Sequence, residues 1–446
     1  MTALQIIERQ HTETDRHIAV WDAWWRGKYA PFHEYLENDC AGHPVRREMF
    51  RMNMAKKVCE DWASILLNDR TAISIDDAAG EEFVKRVFAD TGFLRQANRL
   101  IERAFAVGTG AAILRLHGCV VRDGAIAAGA STRVGFELVD AAHIVPLSVE
   151  NGVITEAAFV SESIRRGKSY IYVESHTIEN GEYVIKNTVF RRRDDGEEYV
   201  ECTPEGSCGA IHTGSTVPLF SIISPNIVNP YDDGSGLGCS VFADALDCLR
   251  GVDLAFNNFC RDIRLGGKKV FINQSLVCRD ENGNIYSPDD LAKQLFVMIG
   301  DSDISERPMI TEHNPELRTS ENAEAVQCQL DYLSFRCGLG THHYSFTGNE
   351  GRARLTATQY MGERQDMLQN AVKHGKNVEA FLRGVIRALL WCAEAVFCMP
   401  VNTDAAITVD FDDSYFTDTE SQRERSLREL EAGIITAEEY RKKWID

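Results

Sequence analysis

Two glycine-rich runs are the first places where this 446-residue sequence invites chemistry. Gly234-Ser235-Gly236-Leu237-Gly238 precedes an apolar-periodic segment, as a phosphate-cradling loop would. A dinucleotide fingerprint, however, needs a buried strand directly before Gly-x-Gly-x-x-Gly. Here the spacing is Gly-x-Gly-x-Gly and a Pro- and Asn-rich irregular run precedes it, so the glycines predict a flexible joint. Gly266-Gly267-Lys268-Lys269 fails as a Walker motif, because residue 262 is Asp and Val270 follows the lysines. Asp410, Asp412, Asp413 and Asp418 offer carboxylates of the kind a hard cation wants. Strand alternation divides the first three between two faces, and Asp418 suits a helix N-cap. His342-His343 has no His or Cys at ligand spacing, and the sequence contains no Gly-x-Ser-x-Gly elbow or catalytic-cysteine signature. No catalytic residue, cofactor or metal is predicted.

The bulk numbers point the same way. Hydrophobic residues make up 44% and charged residues 26%, the balance of a globular protein, and the length calls for two or three packing units. A net charge of -19 is the wrong sign for gripping phosphates, so tight duplex binding is disfavoured. The 13 cysteines include no Cys-x-x-Cys pair and predict free thiols in a reducing compartment, the cytoplasm. No signal peptide is visible after Met1, and Phe381 to Val401 is broken by Arg383, Arg387 and Glu394, so no membrane span is expected.

The elements follow from periodicity. Residues 1–38 read as helical, with Trp21, Trp24 and Trp25 clustered. A turn at Gly42-His43-Pro44 leads to a predicted helix from Arg46 to Leu67, then a strand Ala72 to Ile75. Helices are predicted over Glu81 to Ala89 and Phe93 to Val107, the second stopped by Gly108. Between Ala111 and Phe220, short alternating segments with Asn-Gly turns predict an antiparallel meander. A long helix from Cys239 to Leu265 carries Phe242, Leu246, Leu249, Val252, Phe256, Phe259 and Ile263 on a broad stripe. Residues 268–318 form a small α/β insertion, with a helix from Pro288 to about Phe296 and a strand near Val297 to Ile299. A helix from Glu321 to Arg336, a Gly- and His-rich loop to Arg354, and a helix from Thr356 to about Phe397 follow. A strand Ile407 to Phe411 and two acidic-basic helices close the chain. The fold class is α+β and mainly helical.

Several segments in order carry a family resemblance: Met54-Ala55-Lys56-Lys57-Val58-Cys59-Glu60-Asp61-Trp62-Ala63, Glu102-Arg103-Ala104-Phe105-Ala106-Val107-Gly108-Thr109-Gly110-Ala111, and Asn229-Pro230 leading to Phe242-Ala243-Asp244-Ala245-Leu246-Asp247. Thr356-Ala357-Thr358-Gln359 and the closing Asp413-Ser414, Glu431-Ala432-Gly433-Ile434-Ile435 and Tyr440-Arg441 complete the set. Over nearly its whole length the chain resembles portal proteins of tailed bacteriophages, of the type common in phages of Gram-positive hosts. The resemblance implies a β-rich wing (1–238), stem helices (239–266 and 319–337) and a clip (267–318). It further implies a tunnel loop (338–354), a long helix over the wing (355–400), and a wing strand with a short crown (401–446).

It also implies a non-catalytic homo-oligomeric ring, twelve-fold in assembled members of the family, in the virion at one capsid vertex. Double-stranded DNA would pass through it non-specifically. Terminase large subunit, head-completion or adaptor proteins, major capsid protein and scaffolding protein would be its partners. In such a ring Lys268 and Lys269 at the stem–clip junction, and His342, His343, Tyr344, Arg352 and Arg354 on the tunnel loop, are the expected channel contacts. The alternative reading of the residues is a nucleotide-using or phosphodiester-cleaving enzyme built on the α/β middle region.

Overall fold

The computed structural model describes residues 3–8, 13–38, 42–122, 125–192, 199–202, 210–232, 234–273, 295–298, 310–346 and 357–411, with 426–428, 430, 436 and 440. Helices α1 (Ala3–Glu8), α2 (Glu13–Trp25) and α3 (Ala30–His33) lead into a ribbon of β1 (Glu34–Asn38) and β2 (Pro44–Glu48). Next come α4 (Met54–Leu66), β3 (Ala72–Ile75), α5 (Ala78–Thr91) and α6 (Phe93–Val107). The helix predicted from Arg46 therefore starts eight residues late. Residues Pro44–Glu48 pair with β1 instead, and Asn53 sits in the left-handed region at φ 55°, which separates the coil from α4.

The principal core lies where α2, α4, α6 and a later long helix meet. Trp62, Phe105, Ile101 and Phe381 are fully buried there. On α6 the buried Ala97, Leu100, Ile101, Ala104 and Phe105 recur every three or four residues, the spacing that turns one face inward. Each Leu, Ile or Phe so buried contributes about 1.5–3 kcal/mol. The tryptophan cluster joins this core: Trp21 and Trp24 are buried, and the Arg103 guanidinium lies 4.8 Å from the centre of the Trp25 ring.

The β region is two sheets rather than one meander. Strands β4 (Gly110–His117), β7 (Arg133–Asp140) and β14 (Phe220–Ile223) form one, in the order β14-β4-β7. The other contains β5 (Val120–Arg122), β6 (Ala125–Ala127), β8 (Ile144–Glu150), β9 (Val153–Arg165), β10 (Lys168–Glu179), β11 (Glu182–Arg192), β12 (Tyr199–Glu201) and β13 (Ala210–His212). Within it β8 to β11 do form an antiparallel meander, but β13 pairs with β6 in parallel. The split arises because β4 is apolar on both faces, buried from Gly110 to Leu114, so it must lie between layers.

Helix α7 (Leu246–Leu265) starts later than Cys239. The backbone before it is engaged elsewhere: Val241 N donates to Phe105 O at 2.9 Å, and a 3-10 turn (Ala243–Ala245) intervenes. Strands β15 (Lys269–Asn273), β16 (Leu295–Met298) and β17 (Ile310–His313) make a small sheet with β15 central, parallel to β16 and antiparallel to β17. Strand β16 begins at Leu295, so the predicted helix cannot reach Phe296; its earlier residues lie outside those described. Helix α8 (Thr319–Arg336), helix α9 (Ala357–Trp391) with a π turn over Cys392–Val396, and β18 (Ile407–Asp410), which pairs with β3, complete the described elements. The two predicted terminal helices fall largely outside the described residues.

The Gly234–Gly238 run has a packing purpose. Gly108 ends α6 at φ +95°, and a Cβ there would lie 2.4 Å from Gly238 O. Gly238 N in turn donates to Thr109 Oγ1 at 2.9 Å. Two backbones touch here, which only glycine permits. Gly108→Ala is expected to cost at least about 2 kcal/mol through left-handed strain and the backbone clash, read as a lower denaturation midpoint. An unchanged midpoint would show that these segments can part freely.

Candidate functional site

Helices α7 and α8 pair as an antiparallel hairpin. Asp262 accepts from Arg318 Nη2 at 3.1 Å and Asn322 Nδ2 at 3.0 Å at one end, and Arg336 Nη2 reaches Asp244 O at 3.0 Å at the other. Midway, Gly251 leaves room for Gln329, whose Oε1 would lie 2.4 Å from a Cβ at that position. The β15–β17 sheet therefore lies beyond one end of the hairpin, and the segment from Gly338 leaves the other.

Helix α8 is apolar on two sides. Val326, Leu330 and Leu333 are buried. Ala325, Cys328, Tyr332 and Phe335, spaced three, four and three residues apart, are exposed, Tyr332 at 57% and Phe335 at 50%. A helix apolar on both faces is normally covered on both.

The residues that begin the loop are held by carboxylates that local sequence does not announce. His342 Nδ1 lies 2.8 Å from Asp331 Oδ2 on α8. His343 Nε2 lies 3.6 Å from Asp61 Oδ2 on α4, and Tyr344 OH donates to the same oxygen at 2.9 Å. Burial acts to raise the Asp61 pKa, but hydrogen bonds from His343, Lys57 and Tyr344 outweigh it and lower the value. Burial, followed by the Asp61 charge, pushes the Tyr344 phenol far up, so it remains a donor. Gln327 of α8 clasps the chain on both sides of Ser345: its Nε2 donates to Tyr344 O at 2.8 Å and its Oε1 accepts from Phe346 N at 2.8 Å. Phe346 meets Phe259 of α7 edge-on at 5.5 Å. Behind them Trp62 Nε1 donates to Cys337 O and Asn370 Nδ2 to Gly338 O, each at 3.0 Å. A Gly- and His-rich composition gives no sign of ties to a core. The first nine residues of the loop are instead fastened to α4, α7, α8 and α9, with Leu339 buried.

The other residues singled out from sequence divide as follows. Lys268 Nζ lies 2.8 Å from Glu312 Oε2, both well exposed, a pair that water screens to little energy. Lys269 opens β15 in register with His313. Arg352 and Arg354 lie outside the described residues, as do Asp412, Asp413 and Asp418, whereas Asp410 is an exposed position on β18. Among the described residues no group of three or more His, Cys, Asp or Glu is placed to hold a metal ion. No helix among them is long and apolar enough to cross a membrane.

A cleft of about 410 Å³ lies between β7 and the β9–β10 pair. Its charges answer one another: Arg115 contacts Glu137 and Glu174 at 2.6 Å each, and Glu174 also meets the buried His176 at 2.7 Å. At its rim, burial would raise Asp140, but His143 and the Arg103 guanidinium hold its carboxyl down at about 2. The cleft is thus braced from within.

A family model described as phage portal protein, SPP1 Gp6-like, matches residues 4–446. No curated protein matches the chain. A match over essentially the full length agrees with the α+β architecture. The chain belongs to the phage portal proteins, a family of structural components of the viral capsid.

Proposed function

We propose that this chain assembles into a homo-oligomeric ring of about twelve subunits at one capsid vertex, forming the channel through which double-stranded DNA is packaged and ejected. The observation that carries the reading is α8, whose second apolar face, Cys328, Tyr332 and Phe335, is left uncovered by the described residues of the single chain. A neighbouring copy would cover it. In this reading 239–266 and 319–337 are the stem, 267–318 the clip, and 338–354 the tunnel loop. Residues 1–238, with part of the later chain, would be the wing, and the C-terminal residues would belong to the crown. The clip would dock terminase large subunit during packaging and head-completion or adaptor proteins afterwards, while the wing would meet major capsid and scaffolding proteins. Energy for DNA movement would come from the terminase.

The anchored loop root suits such a channel. Asp61, Asp331 and Gln327 hold residues 342–346 in place, which would fix where the loop leaves the body. Light scattering on the purified protein tests the ring, with a species of several hundred kilodaltons expected and a central hole in negative-stain images. A strictly monomeric or dimeric protein would overturn the reading.

Charge gives a further expectation. Each subunit carries -19, so a ring multiplies an already repulsive field. Salt screens it over about 8 Å at physiological ionic strength. The assembled protein is expected to show negligible affinity for linear duplex DNA in physiological salt, measured by mobility shift. Submicromolar binding there would contradict a channel built to let DNA slide.

A further inference from the structure

The β1–β2 ribbon is a projection that the single chain supports on one side only. Its strands pair over five residues, from Glu34↔Glu48 to Asn38↔Pro44, and no third described strand joins them. A two-stranded ribbon with no further partner is marginally stable in water. This one is nevertheless clamped at both bases to α7. Before β1, His33 Nε2 lies 2.9 Å from Asp253 Oδ2, with both side chains buried. After β2, Phe50 N donates to Asn257 Oδ1 at 3.1 Å and Met52 N to Asp253 Oδ1 at 2.8 Å. Along the ribbon, Arg261 reaches Tyr35 OH and Glu37 Oε1 at 3.1 Å each. Strand alternation puts Leu36 on the opposite face from Tyr35 and Glu37, and Leu36 is 72% exposed. A firmly oriented ribbon thus holds an aliphatic side chain out into water.

We propose that the ribbon of one copy docks, through Leu36, on the exposed Cys328–Tyr332–Phe335 stripe of α8 in a second copy of this chain. The inference rests on the ring reading and names the two surfaces that meet. Three features favour this occupant. At 3.6 residues per turn, the α7 positions that hold the ribbon (253, 257, 261) and those that touch α8 (251, 262) lie roughly 130° apart. Ribbon and α8 therefore occupy different flanks of α7, as the head-to-tail contact of a closed ring requires. Both surfaces are apolar at the centre and left bare by the described residues of the single chain. Arg46, directly across the ribbon from Leu36, pairs with Glu34 yet stays 73% exposed, and exposed Glu321 and Glu324 stand at the N-terminal end of the α8 stripe.

Cys328 supplies a native reporter, because it is exposed on the proposed seat. The test is L36C in the full-length protein, treated with a short bismaleimide and run on a denaturing gel. A ladder of covalent multimers is expected, absent from the unsubstituted protein and lost when Cys328→Ser is added, with the ring size by light scattering unchanged throughout. Leu36→Asp should raise the concentration needed for half-assembly about tenfold while leaving the monomer folded. Rings that form without any ladder, or with a ladder that persists after Cys328→Ser, overturn the ribbon contact and leave the ring intact. Failure of the unsubstituted protein to form a ring overturns both readings.

Discussion

A chain carrying Tyr332→Asp and Phe335→Asp is expected to behave as a folded monomer of 50.0 kDa where the unsubstituted protein forms rings. Both side chains are at least half exposed in the single chain, so their replacement leaves the core alone; surface changes of this kind usually alter stability by less than about 0.5 kcal/mol. At an interface the same change is severe. Buried aromatic anchors are worth about 2–4 kcal/mol each, and an aspartate in their place must also be desolvated. Losing two of them removes at least about 4 kcal/mol per contact, close to a thousandfold in affinity. A ring repeats that contact at every junction, so the loss should be all or none in light scattering, with an unchanged circular dichroism spectrum. The comparison that gives the result meaning is Leu330→Asp, two residues from Tyr332 but on the buried face of α8, which should unfold the protein instead. Full-size rings from the double variant would remove this face of α8 from the interface.

What could be read from the sequence follows from how local each cause is. Strand β3 and helix α6 match their predicted bounds because their signals lie within them, a short β-branched run in one and Gly92 and Gly108 at positive φ around the other. Helix α4 was predicted too long because Met49 and Phe50 continue its apolar spacing by coincidence, whereas Pro44–Glu48 are committed to pairing with β1. Strands β5, β6 and β13, three residues each, are too short to show a period, and β14 is defined by its pairing with β4, more than a hundred residues earlier.

The loop root shows the same divide at the level of the site. His342, His343 and Tyr344 stood out as residues able to touch a polyanion. Asp61, which engages two of them, lies on a helix some 280 positions upstream, and nothing in its neighbourhood ties it to this loop. Gln327 is equally unmarked, because a clasp on the backbone leaves no trace in the residue types it holds. The apolar stripe on α8 was legible in principle. Cys328, Tyr332 and Phe335 follow a helical spacing, but only the structure separates them from Val326, Leu330 and Leu333 as a second, uncovered face.

Acid should weaken the protein in two distinct windows, the first through His374. This imidazole is buried between Trp62 and Phe105, with ring centroids at 4.9 and 5.1 Å, and its Nδ1 accepts from Asn226 N at 3.0 Å. Burial, aided by neighbouring Lys373, brings its pKa down from 6.5 to about 4. In the unfolded chain the ring protonates near pH 6.5, so between there and pH 4 the unfolded state binds the extra proton and gains stability relative to the fold. The loss accumulates to about 3 kcal/mol by pH 4 and is complete below it. Protonation also turns Nδ1 from acceptor to donor and breaks the bond to Asn226. Asp140 acts later and in the same direction: its carboxyl, held at about 2, contributes stability that is intact above pH 3.8 and disappears as pH falls through about 2. The two groups can therefore be separated by urea titrations between pH 7 and pH 4. His374→Asn keeps an acceptor for Asn226 but has nothing to titrate, so it should start less stable at pH 7 and lose less on acidification than the unsubstituted protein. Parallel stability curves for the two proteins across that window would show that His374 is not the group responsible.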